Sequence, residues 1–292
     1  MPDTLQKNYK DALTHPVFKT IATASEELGL SSYVIGGFVR DYILNKEIVK
    51  DIDILCIGSG INFAINVQNS IDSTKKINIY KRFGTAMLKW KDYTVEFVGA
   101  RKESYLEDSR KPEVKAGTFL DDMNRRDFTI NTLAISLNKE NYGELIDTFN
   151  GIGDLNKGII KTPTDADKTF SDDPLRMLRA VRFSSQLNYK IERNTFESIK
   201  RNQNRIEILS GERISEELNK ILMQDKPSNG FTLLDKLNIL KTILPELESL
   251  KGIEEVEGQT HKDNFYHTLE VVDNISSKTN NIWLRWAALL HD

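Results

Sequence analysis

The chain has 292 residues, of which 39% are hydrophobic and 28% are charged. This length allows two domains of roughly 100–200 residues each, and the composition excludes both an integral membrane protein and a chain too polar to collapse. A single cysteine, Cys56, excludes an intrachain disulfide framework, and the first residues lack the apolar core of a signal peptide, so we expect a cytoplasmic protein. Because the net charge is −3, any polyanion must be held by a local patch.

The first elements are predicted to be a helix, a strand, a glycine turn and a second helix. Apolar residues recur at helical spacing over residues 17–28 and stop at a glycine, where helices commonly end. The β-prone run 33–35 leads into Gly36 and Gly37, which allow a tight turn, and helical spacing resumes at Phe38.

The next segment is predicted to be mostly strand. Apolar and polar residues alternate over residues 51–56, as expected of a strand with two different faces. Further β-like runs lie at residues 76–80, 85–90 and 93–100. The charged segment 101–115 predicts a mobile loop, ahead of a helix that starts near Arg126. From about residue 155 strand patterns become rare and helical periodicity dominates, and glycine, proline and aspartate over residues 151–165 indicate a domain boundary.

The most informative pattern is a glycine pair followed by two aspartates. Asp51 and Asp53 are two residues apart, so a strand places both on one face, about 7 Å apart between Cα atoms. Paired carboxylates suit Mg²⁺, which completes its shell with water and substrate phosphates. Two solvent-facing aspartates on an edge strand would be the simpler interpretation. However, Gly36 and Gly37 let backbone amides approach a phosphate, and Arg40 adds positive charge, which together favour a phosphate site.

Four motifs in order carry a family resemblance. They are Gly36–Asp41 with Asp51–Asp53, then Arg125–Asn131, then Gly151–Leu155, then Asp172–Arg179. The set resembles the successive motifs of the class II tRNA nucleotidyltransferase (CCA-adding) and bacterial poly(A) polymerase family, over roughly residues 15–225. One departure is visible, because the fourth motif usually begins Glu-Asp and here begins with Asp172 and Asp173. This change keeps the charge and shortens the side chain.

The resemblance implies an α+β fold, with a polymerase-β-like nucleotidyltransferase head (a mixed sheet with helices) followed by all-helical neck and body domains. We therefore expect a catalytic head over residues 1–155. A helical neck and body, over residues 156–250, is expected to select the nucleotide and bind RNA. Residues 251–292 are expected to be the incomplete start of a further helical domain.

The resemblance also implies the chemistry of the head. Asp51 and Asp53 are the expected catalytic ligands of a two-ion Mg²⁺ site at which an RNA 3′ hydroxyl attacks an α-phosphate and pyrophosphate leaves. Glu96 is either an accessory acid or a structural glutamate. The guanidinium groups of Arg125 and Arg126 are expected to grip the triphosphate or ribose, the alternative being a surface pair. Asp127 is expected to orient these arginines. The expected nucleotide-binding residues of the head are Gly36, Gly37, Arg40, Arg125, Arg126 and Asp127.

A second group of nucleotide-binding residues is expected on the helix that follows a Ser-Asp-Asp-Pro start. Its polar members, opposite a set of apolar positions, are Asp173, Arg176, Arg179 and Arg182. The resemblance makes this the motif whose Asp and Arg side chains read a base edge, whereas the sequence alone also fits an amphipathic helix with a basic face. Residues 157–205 contain 11 Lys or Arg and 6 Asp or Glu, a net of +5, so this region is expected to meet an RNA backbone.

The last part of the sequence contains the runs HKDNFYHTLEVV and WLRWAALLHD, which include His267, His291 and Asp292. These runs resemble the opening of an HD-type metal phosphohydrolase domain, with the three residues at matching positions. A helix that ends in His-Asp is able to ligate a metal. The later aspartate of that family's site is not in this sequence, so we expect a helical segment without a bound metal and without hydrolase activity.

The sequence therefore predicts an RNA nucleotidyltransferase that uses CTP and ATP to build the CCA end of tRNA. A poly(A) polymerase, or an enzyme that adds only CC or only A, has the same motifs. A catalytically silent RNA-binding protein is the alternative from a different class. The expected partners are the tRNA 3′ end and nucleoside triphosphates, with no membrane, and the sequence leaves the oligomeric state open.

Overall fold

The computed structural model describes residues 8–46, 50–72, 76–106, 109–252, 255–256, 259–260 and 263–292. The chain forms two compact units. The first comprises residues up to Tyr105 together with Lys111–Asn156, and the second comprises Leu106–Arg110 and Lys157–Asp292. None of the described helices is both long and apolar enough to cross a membrane.

The elements up to residue 157 are a mixture of helices and strands, with five strands in succession over residues 77–116. In chain order they are α1 (Pro16–Glu27), β1 (Ser32–Ile35), α2 (Gly37–Ile43), β2 (Asp51–Cys56), α3 (Gly60–Ile71), β3 (Ile77–Tyr80), β4 (Thr85–Trp90), β5 (Tyr93–Gly99), β6 (Arg101–Leu106), β7 (Ser109–Ala116), α4 (Phe119–Asn124), β8 (Ala134–Ser136), β9 (Leu145–Ile146) and α5 (Gly151–Lys157). Short 3₁₀ helices lie at Lys10–Leu13, Lys81–Phe83, Thr129–Asn131 and Lys139–Asn141. The predicted order of helix, strand, glycine turn, helix and strand is confirmed.

A seven-stranded sheet with the order β3-β4-β5-β2-β1-β8-β9 organises the first unit. Strands β2 and β5 are parallel, and the other neighbours are antiparallel. The strand β2 therefore lies in the middle of the sheet, and this excludes the interpretation that its aspartates sit on an edge strand. Helix α3 packs on β4 and β5, with the ring of Phe63 centred 5.3 Å from that of Phe97. Because Phe97 and Glu96 alternate, α3 covers the face opposite to Glu96.

Two expectations for residues 101–131 are wrong. The charged segment that predicted a mobile loop forms the paired strands β6 and β7, while residues 107–108 lie outside the described part of the chain. The helix predicted to start near Arg126 is instead α4, which ends at Asn124 and is followed by a single 3₁₀ turn. Helix α4 begins at a capping box, in which Thr118 and Asp121 satisfy each other's backbone amides. Arg125 and Arg126 thus follow a helix.

The second unit is mainly helical, as predicted. Its elements are β10 (Ile159–Ile160), α6 (Ala166–Asp172), α7 (Leu175–Leu187), β11 (Lys190–Ile191), α8 (Arg193–Asn202), a 3₁₀ helix (Gln203–Ile208), α9 (Gly211–Leu222), α10 (Pro227–Lys236), α11 (Leu240–Ile243), α12 (Pro245–Ser249), β12 (Glu255–Val256), β13 (Gln259–Thr260), α13 (Asn264–Ser276) and α14 (Ile282–Leu289). Strands β10 and β11 pair in parallel, and β12 and β13 pair antiparallel. The α+β fold class, with a mixed sheet followed by a helical region, is confirmed.

A single buried arginine joins three parts of the second unit. Arg285, on α14, is 1% exposed and donates hydrogen bonds to the main-chain carbonyls of Leu222, Gln224, Ser276 and Thr279, at 2.8–3.0 Å. Leu222 ends α9 and Ser276 ends α13, so the guanidinium satisfies carbonyls that helix ends leave without an intrahelical partner. Helices α9, α13 and α14 are thereby fixed to one another.

A close approach of two backbone segments in the first unit leaves no room for a side chain at Gly60. A Cβ atom at this first residue of α3 would lie 2.7 Å from Gly99 N and 2.8 Å from Phe97 O. Gly211, the first residue of α9, has no atom within 4 Å of the same position. The two glycines occupy equivalent places in their helices and differ in their surroundings.

We expect Gly60→Ala to lower the free energy of unfolding by about 1–3 kcal/mol, the usual cost of overpacking, because backbone atoms cannot move away as a side chain can. Gly211→Ala is the control, and it should leave the stability unchanged or raise it by about 0.4–1 kcal/mol, since it reduces the entropy of the unfolded chain. Urea unfolding followed by circular dichroism measures both. Equal midpoints for the two variants would contradict the close approach at Gly60.

Candidate active site

The glycine turn after β1 is the centre of the candidate site. Gly36 has a φ of 74°, a conformation that favours glycine. A Cβ atom at this position would lie 3.5 Å from Arg126 Nη1 and 3.5 Å from Asp53 Oδ2. The backbone of the turn, a cation and a carboxylate therefore meet at one point. Gly37 begins α2, where a Cβ would lie 3.7 Å from Arg40 Nη2.

Three carboxylates lie on two neighbouring central strands. Asp53 on β2 is directly opposite Glu96 on β5, and Asp51 lies two residues before Asp53 on the same face. Burial raises the pKa of Asp53, and the charge of Asp51 raises it further, against the attraction of Arg126. Burial and the charge of Asp53 also raise the pKa of Glu96, which a hydrogen bond from Thr85 partly offsets. The sheet thus concentrates negative charge at a place where it is poorly solvated.

This concentration fits a bound cation. Asp51 is exposed and Asp53 is half-buried, so the pair offers oxygen atoms both to solvent and to the interior of the site. Within the residues that the structure describes, no group of three or more His, Cys, Asp and Glu side chains is arranged as a metal cage. A pair of carboxylates that is open to solvent on one side suits Mg²⁺, which keeps waters and substrate oxygens in its shell.

Arg125 and Arg126 are held by one buried carboxylate, that of Asp122, which is 0% exposed. Arg126 Nη2 donates to Asp122 Oδ2 at 3.0 Å, and Arg125 donates to Asp122 Oδ1 through Nε, at 2.9 Å, and through Nη2. Arg125 also lies 3.3 Å from Glu103 Oε1. The Nε of Arg126 is buried and has no hydrogen-bond partner in the described structure, so its donor capacity is unused there.

Arg40 is buried beneath the glycine turn. Its Nε and Nη2 donate to the two oxygens of Asp41, both at 2.8 Å, and its Nη1 donates to Asn131 Oδ1 at 2.8 Å. Asn131 Nδ2 in turn donates to Asp127 Oδ1 at 2.9 Å. These contacts make Arg40 a support of the turn, and its predicted contact with phosphate stays a prediction. Asp127 therefore orients the Asn131 side chain. Its predicted role in orienting Arg125 and Arg126 also stays a prediction.

The predicted base-reading residues lie in the second unit, where α6 ends and α7 begins. Asp173 Oδ1 accepts a hydrogen bond from Leu175 N at 3.2 Å. Arg176 is 9% exposed and donates through Nη1 to Thr169 O at 3.3 Å, so it is not part of a solvated basic face. Arg179 and Arg182 lie over the ring of Phe183, with their guanidinium carbons 5.2 and 4.1 Å from its centre. Arg182 Nε also lies 2.8 Å from a carboxylate oxygen of Glu217.

The three HD-type residues lie close together in the second unit. The ring centres of His267 and His291 are 6.2 Å apart, and His291 Nε2 is 3.5 Å from Asp292 Oδ1. The second oxygen of Asp292 accepts a hydrogen bond from Thr268 at 2.7 Å. His261, earlier in the same run, lies outside the described residues. The expectation that this segment is without a bound metal and without hydrolase activity stays a prediction.

Several residues of the site were not among those predicted from the sequence. Asp122 lies three and four residues before Arg125 and Arg126, a spacing that brings side chains together on a helix and could have indicated it. Asn131 lies within the second motif, and no role was expected for it. Asp41 lies within the first motif, and its two carboxylate oxygens accept hydrogen bonds from Nε and Nη2 of Arg40. Adjacent residues of a helix have no sequence spacing that predicts such a pair.

A mixed sheet that brings paired carboxylates to a glycine turn, followed by a helical unit, defines a nucleotidyltransferase architecture. The Poly A polymerase head domain matches residues 32–161, and the probable RNA- and SrmB-binding site of polymerase A matches residues 188–251. The structure is similar to that of a tRNA nucleotidyltransferase complexed with a primer tRNA and an incoming ATP analog, with a TM-score of 0.72 at 30% identity, over 92% of this chain and 75% of the other. The chain belongs to the tRNA nucleotidyltransferase and poly(A) polymerase family.

Relatives in this family carry two names. The A-adding tRNA nucleotidyltransferase of Geobacter sulfurreducens is 34% identical over 251 residues, 84% of this chain and 28% of that protein. The CCA-adding enzyme of Staphylococcus haemolyticus is 38% identical over 229 residues, 77% of this chain and 54% of that protein. The chain thus spans about half of such relatives or less. The Thermotoga maritima CCA-adding enzyme complexed with tRNA has a TM-score of 0.71 at 28% identity, over 96% of this chain and 69% of the other.

The raised pKa of Asp53 has a testable effect on stability. Since the folded protein holds this pKa above the ordinary value of 3.8, the ionised carboxylate lowers the free energy of unfolding at neutral pH. This cost disappears as the pH falls below the value of the unfolded chain. We therefore expect Asp53→Asn to raise Tm at pH 7 in the presence of EDTA, with a gain that shrinks as the pH approaches 4.

Asp51→Asn is the matched control, because Asp51 lies on the same face of the same strand and is exposed. Thermal unfolding of both variants and of the unmodified chain, at several pH values between 4 and 8, gives the comparison. A gain for Asp53→Asn that grows on acidification would contradict the assignment of a poorly solvated carboxylate.

Proposed function

We propose that this chain is a template-independent RNA nucleotidyltransferase that adds nucleotides from CTP and ATP to the 3′ CCA end of tRNA. The observation that supports it most is the meeting of Asp53, Arg126 and the Gly36 backbone, with Asp51 and Glu96 beside them. Phosphoryl transfer needs a carboxylate pair that binds a metal ion, a positively charged side chain that binds the phosphates, and a backbone that a phosphate can approach. Family membership supports the same reaction.

In this proposal Asp51 and Asp53 hold Mg²⁺, which when bound supplies positive charge to the phosphate under attack and to the attacking oxygen. The RNA 3′ hydroxyl loses its proton to solvent as its oxygen forms a bond to the α-phosphorus of the nucleotide. The bond from that phosphorus to the bridging oxygen breaks, and pyrophosphate leaves. Arg126 binds the triphosphate through its unpartnered Nε, and Arg125 supports it from the same carboxylate. Glu96 acts as an accessory acid beside Asp53.

Choice of the base is assigned to the second unit. CTP and ATP both present an exocyclic amine donor beside a ring nitrogen acceptor, a pattern that a carboxylate and a guanidinium match together, whereas UTP and GTP present the reverse. Asp173 and Arg176 supply these groups, with Arg179 and Arg182 beside them. Arg176 already donates to Thr169 O, which fixes the direction of its guanidinium.

Addition of A alone is the second candidate, because relatives from Geobacter sulfurreducens and Aquifex aeolicus, 34% and 36% identical, are named A-adding tRNA nucleotidyltransferases. The deciding experiment offers tRNAs that lack the last one, two or three nucleotides, with each nucleotide supplied separately, and sequences the products. Completion of all three substrates supports CCA addition, and extension only of the tRNA that lacks one nucleotide supports A addition. Long A tails would indicate a poly(A) polymerase. No extension of any RNA would indicate a silent RNA-binding protein.

Asp51→Ala and Asp53→Ala should each lower kcat/KM by about 10³-fold or more, since a positioned metal charge contributes several kcal/mol to the transition state. The control is Asp92→Ala, which removes an exposed aspartate of the same unit, 79% exposed and paired only loosely with Lys50, and should leave activity unchanged. Nucleotide addition is measured at saturating Mg²⁺, and the thermal stabilisation by Mg²⁺ with ATP is the second readout. Near-normal turnover in either variant, with an intact fold, would overturn the metal assignment.

Asp173→Ala and Arg176→Ala should raise the use of UTP or GTP relative to CTP and ATP, beyond any general loss of rate. A site that hydrogen-bonds a base rejects the wrong base because its own polar groups stay unpaired, so selectivity should fall when those groups are removed. Arg193→Ala, an exposed arginine in the same basic region, is the control and should affect all four nucleotides equally. The measurement is kcat/KM for each nucleotide, and unchanged ratios in the Asp173 and Arg176 variants would discard the base-reading role.

A further inference from the structure

The face of the sheet that carries the paired aspartates extends to an edge strand of the sheet. Asp53 is opposite Glu96, Glu96 is opposite Met87 on β4, and Met87 is opposite Asn78 on β3. Residues directly opposite in neighbouring strands share a face. These four residues therefore form one row, from the candidate metal site to the edge.

Two exposed aromatic side chains lie at the end of this surface. Tyr80 is two residues after Asn78, so it is on the same face of β3, and it is 42% exposed. Phe83, in the 3₁₀ turn that leads into β4, is 53% exposed. Arg101 donates to the carbonyl of Phe83 at 3.1 Å and fixes the turn, while the guanidinium of Arg82 lies 5.9 Å from the Phe83 ring. Exposed aromatic rings beside cations bind nucleic acid bases well.

The charge of this segment is strongly one-sided. Residues 76–91 contain no Asp or Glu, although the whole chain has a net charge of −3. The basic residues of this segment are Lys76, Lys81, Arg82, Lys89 and Lys91. Lys89 is exposed and lies opposite Thr94, which is opposite Asp51, so its cation shares the row of the first aspartate. The surface is therefore complementary to a polyanion that reaches the candidate metal site.

We infer that this surface, named here the Tyr80 surface and formed by Tyr80, Phe83, Lys81, Arg82 and Lys89, binds the unpaired 3′-terminal nucleotides of the RNA. Bases stack on the two rings, and the cations neutralise the neighbouring phosphates. Unpaired nucleotides fit better than a duplex because only their base faces are free to stack. The inference rests on the proposed function, since it supplies the RNA whose 3′ oxygen must reach Asp51 and Asp53.

Binding without any nucleotide tests the inference separately from catalysis. The probe is a fluorescent RNA hairpin with a four-nucleotide unpaired 3′ end, and its Kd is measured by anisotropy. Tyr80→Ala and Phe83→Ala should each weaken binding by about 5- to 150-fold, the range that loss of one stacked base gives, and Tyr80→Phe should bind as the unmodified chain does. Ile65→Ala is the control, because Ile65 is 36% exposed on α3, which covers the opposite face.

Two further measurements test whether the aromatic residues bind the unpaired end of the RNA and whether Lys81 and Arg82 contact its phosphates. With a blunt-ended hairpin, the Tyr80→Ala and Phe83→Ala variants should bind as the unmodified chain does. The double variant Lys81→Gln, Arg82→Gln should reduce the slope of log K against log salt by about 1.4, or 0.7 for each phosphate contact with a single strand.

Unchanged affinity for the unpaired end in both aromatic variants would overturn the inference. The inference would also be overturned if the aromatic variants changed the sedimentation coefficient of the protein and left its affinity for RNA unchanged. That result would assign the exposed edge strand to self-association. If the unmodified chain binds the RNA through Tyr80 and Phe83 and adds no nucleotide, the proposed function fails and the binding surface stands. If the unmodified chain adds nucleotides and the aromatic variants bind RNA as it does, the proposed function stands and the binding surface fails.

Discussion

The candidate site depends on one buried carboxylate. Asp122 is inaccessible to solvent, and a buried carboxylate is tolerated only when it is paired and hydrogen-bonded. Arg125 and Arg126 provide that pairing, and in return the carboxylate fixes where both guanidinium groups lie. Arg126 thereby stands beside Asp53, where its charge partly offsets the cost of burying a second carboxylate. Loss of Asp122 would remove the acceptor that Arg125 and Arg126 share, and Arg126 would no longer be held beside Asp53 by this contact.

The parts of the site that follow from local chain geometry could be predicted from the sequence. The order strand, glycine pair, helix was readable because Gly36 and Gly37 mark a turn between two kinds of periodicity. The shared face of Asp51 and Asp53 follows from the period of any strand. The helical second unit was equally readable, because its apolar residues recur at helical spacing over most of its length.

Features that depend on tertiary pairing could not be predicted in the same way. The paired strands β6 and β7 have a charged sequence, and the low apolar content of residues 101–115 predicted a loop because composition does not reveal a pairing partner. Likewise, the sequence did not indicate that Arg40 and Arg176 are buried among protein acceptors, and their contacts with a ligand stay predictions. The central place of β2 comes from its pairing with β5, which is distant in the sequence, and with β1, which is separated from it by the glycine turn and α2.

Arg285 illustrates a kind of contact that comparisons of related sequences are poorly suited to find. Its guanidinium is satisfied by four carbonyl oxygens, and every residue type provides such an oxygen. The residues at positions 222, 224, 276 and 279 can therefore change without affecting these acceptors, so long as the backbone keeps its course. No compensating pair of substitutions is required, and correlated variation between positions would miss the constraint. The record of this contact in evolution would be a single invariant arginine beside freely varying neighbours.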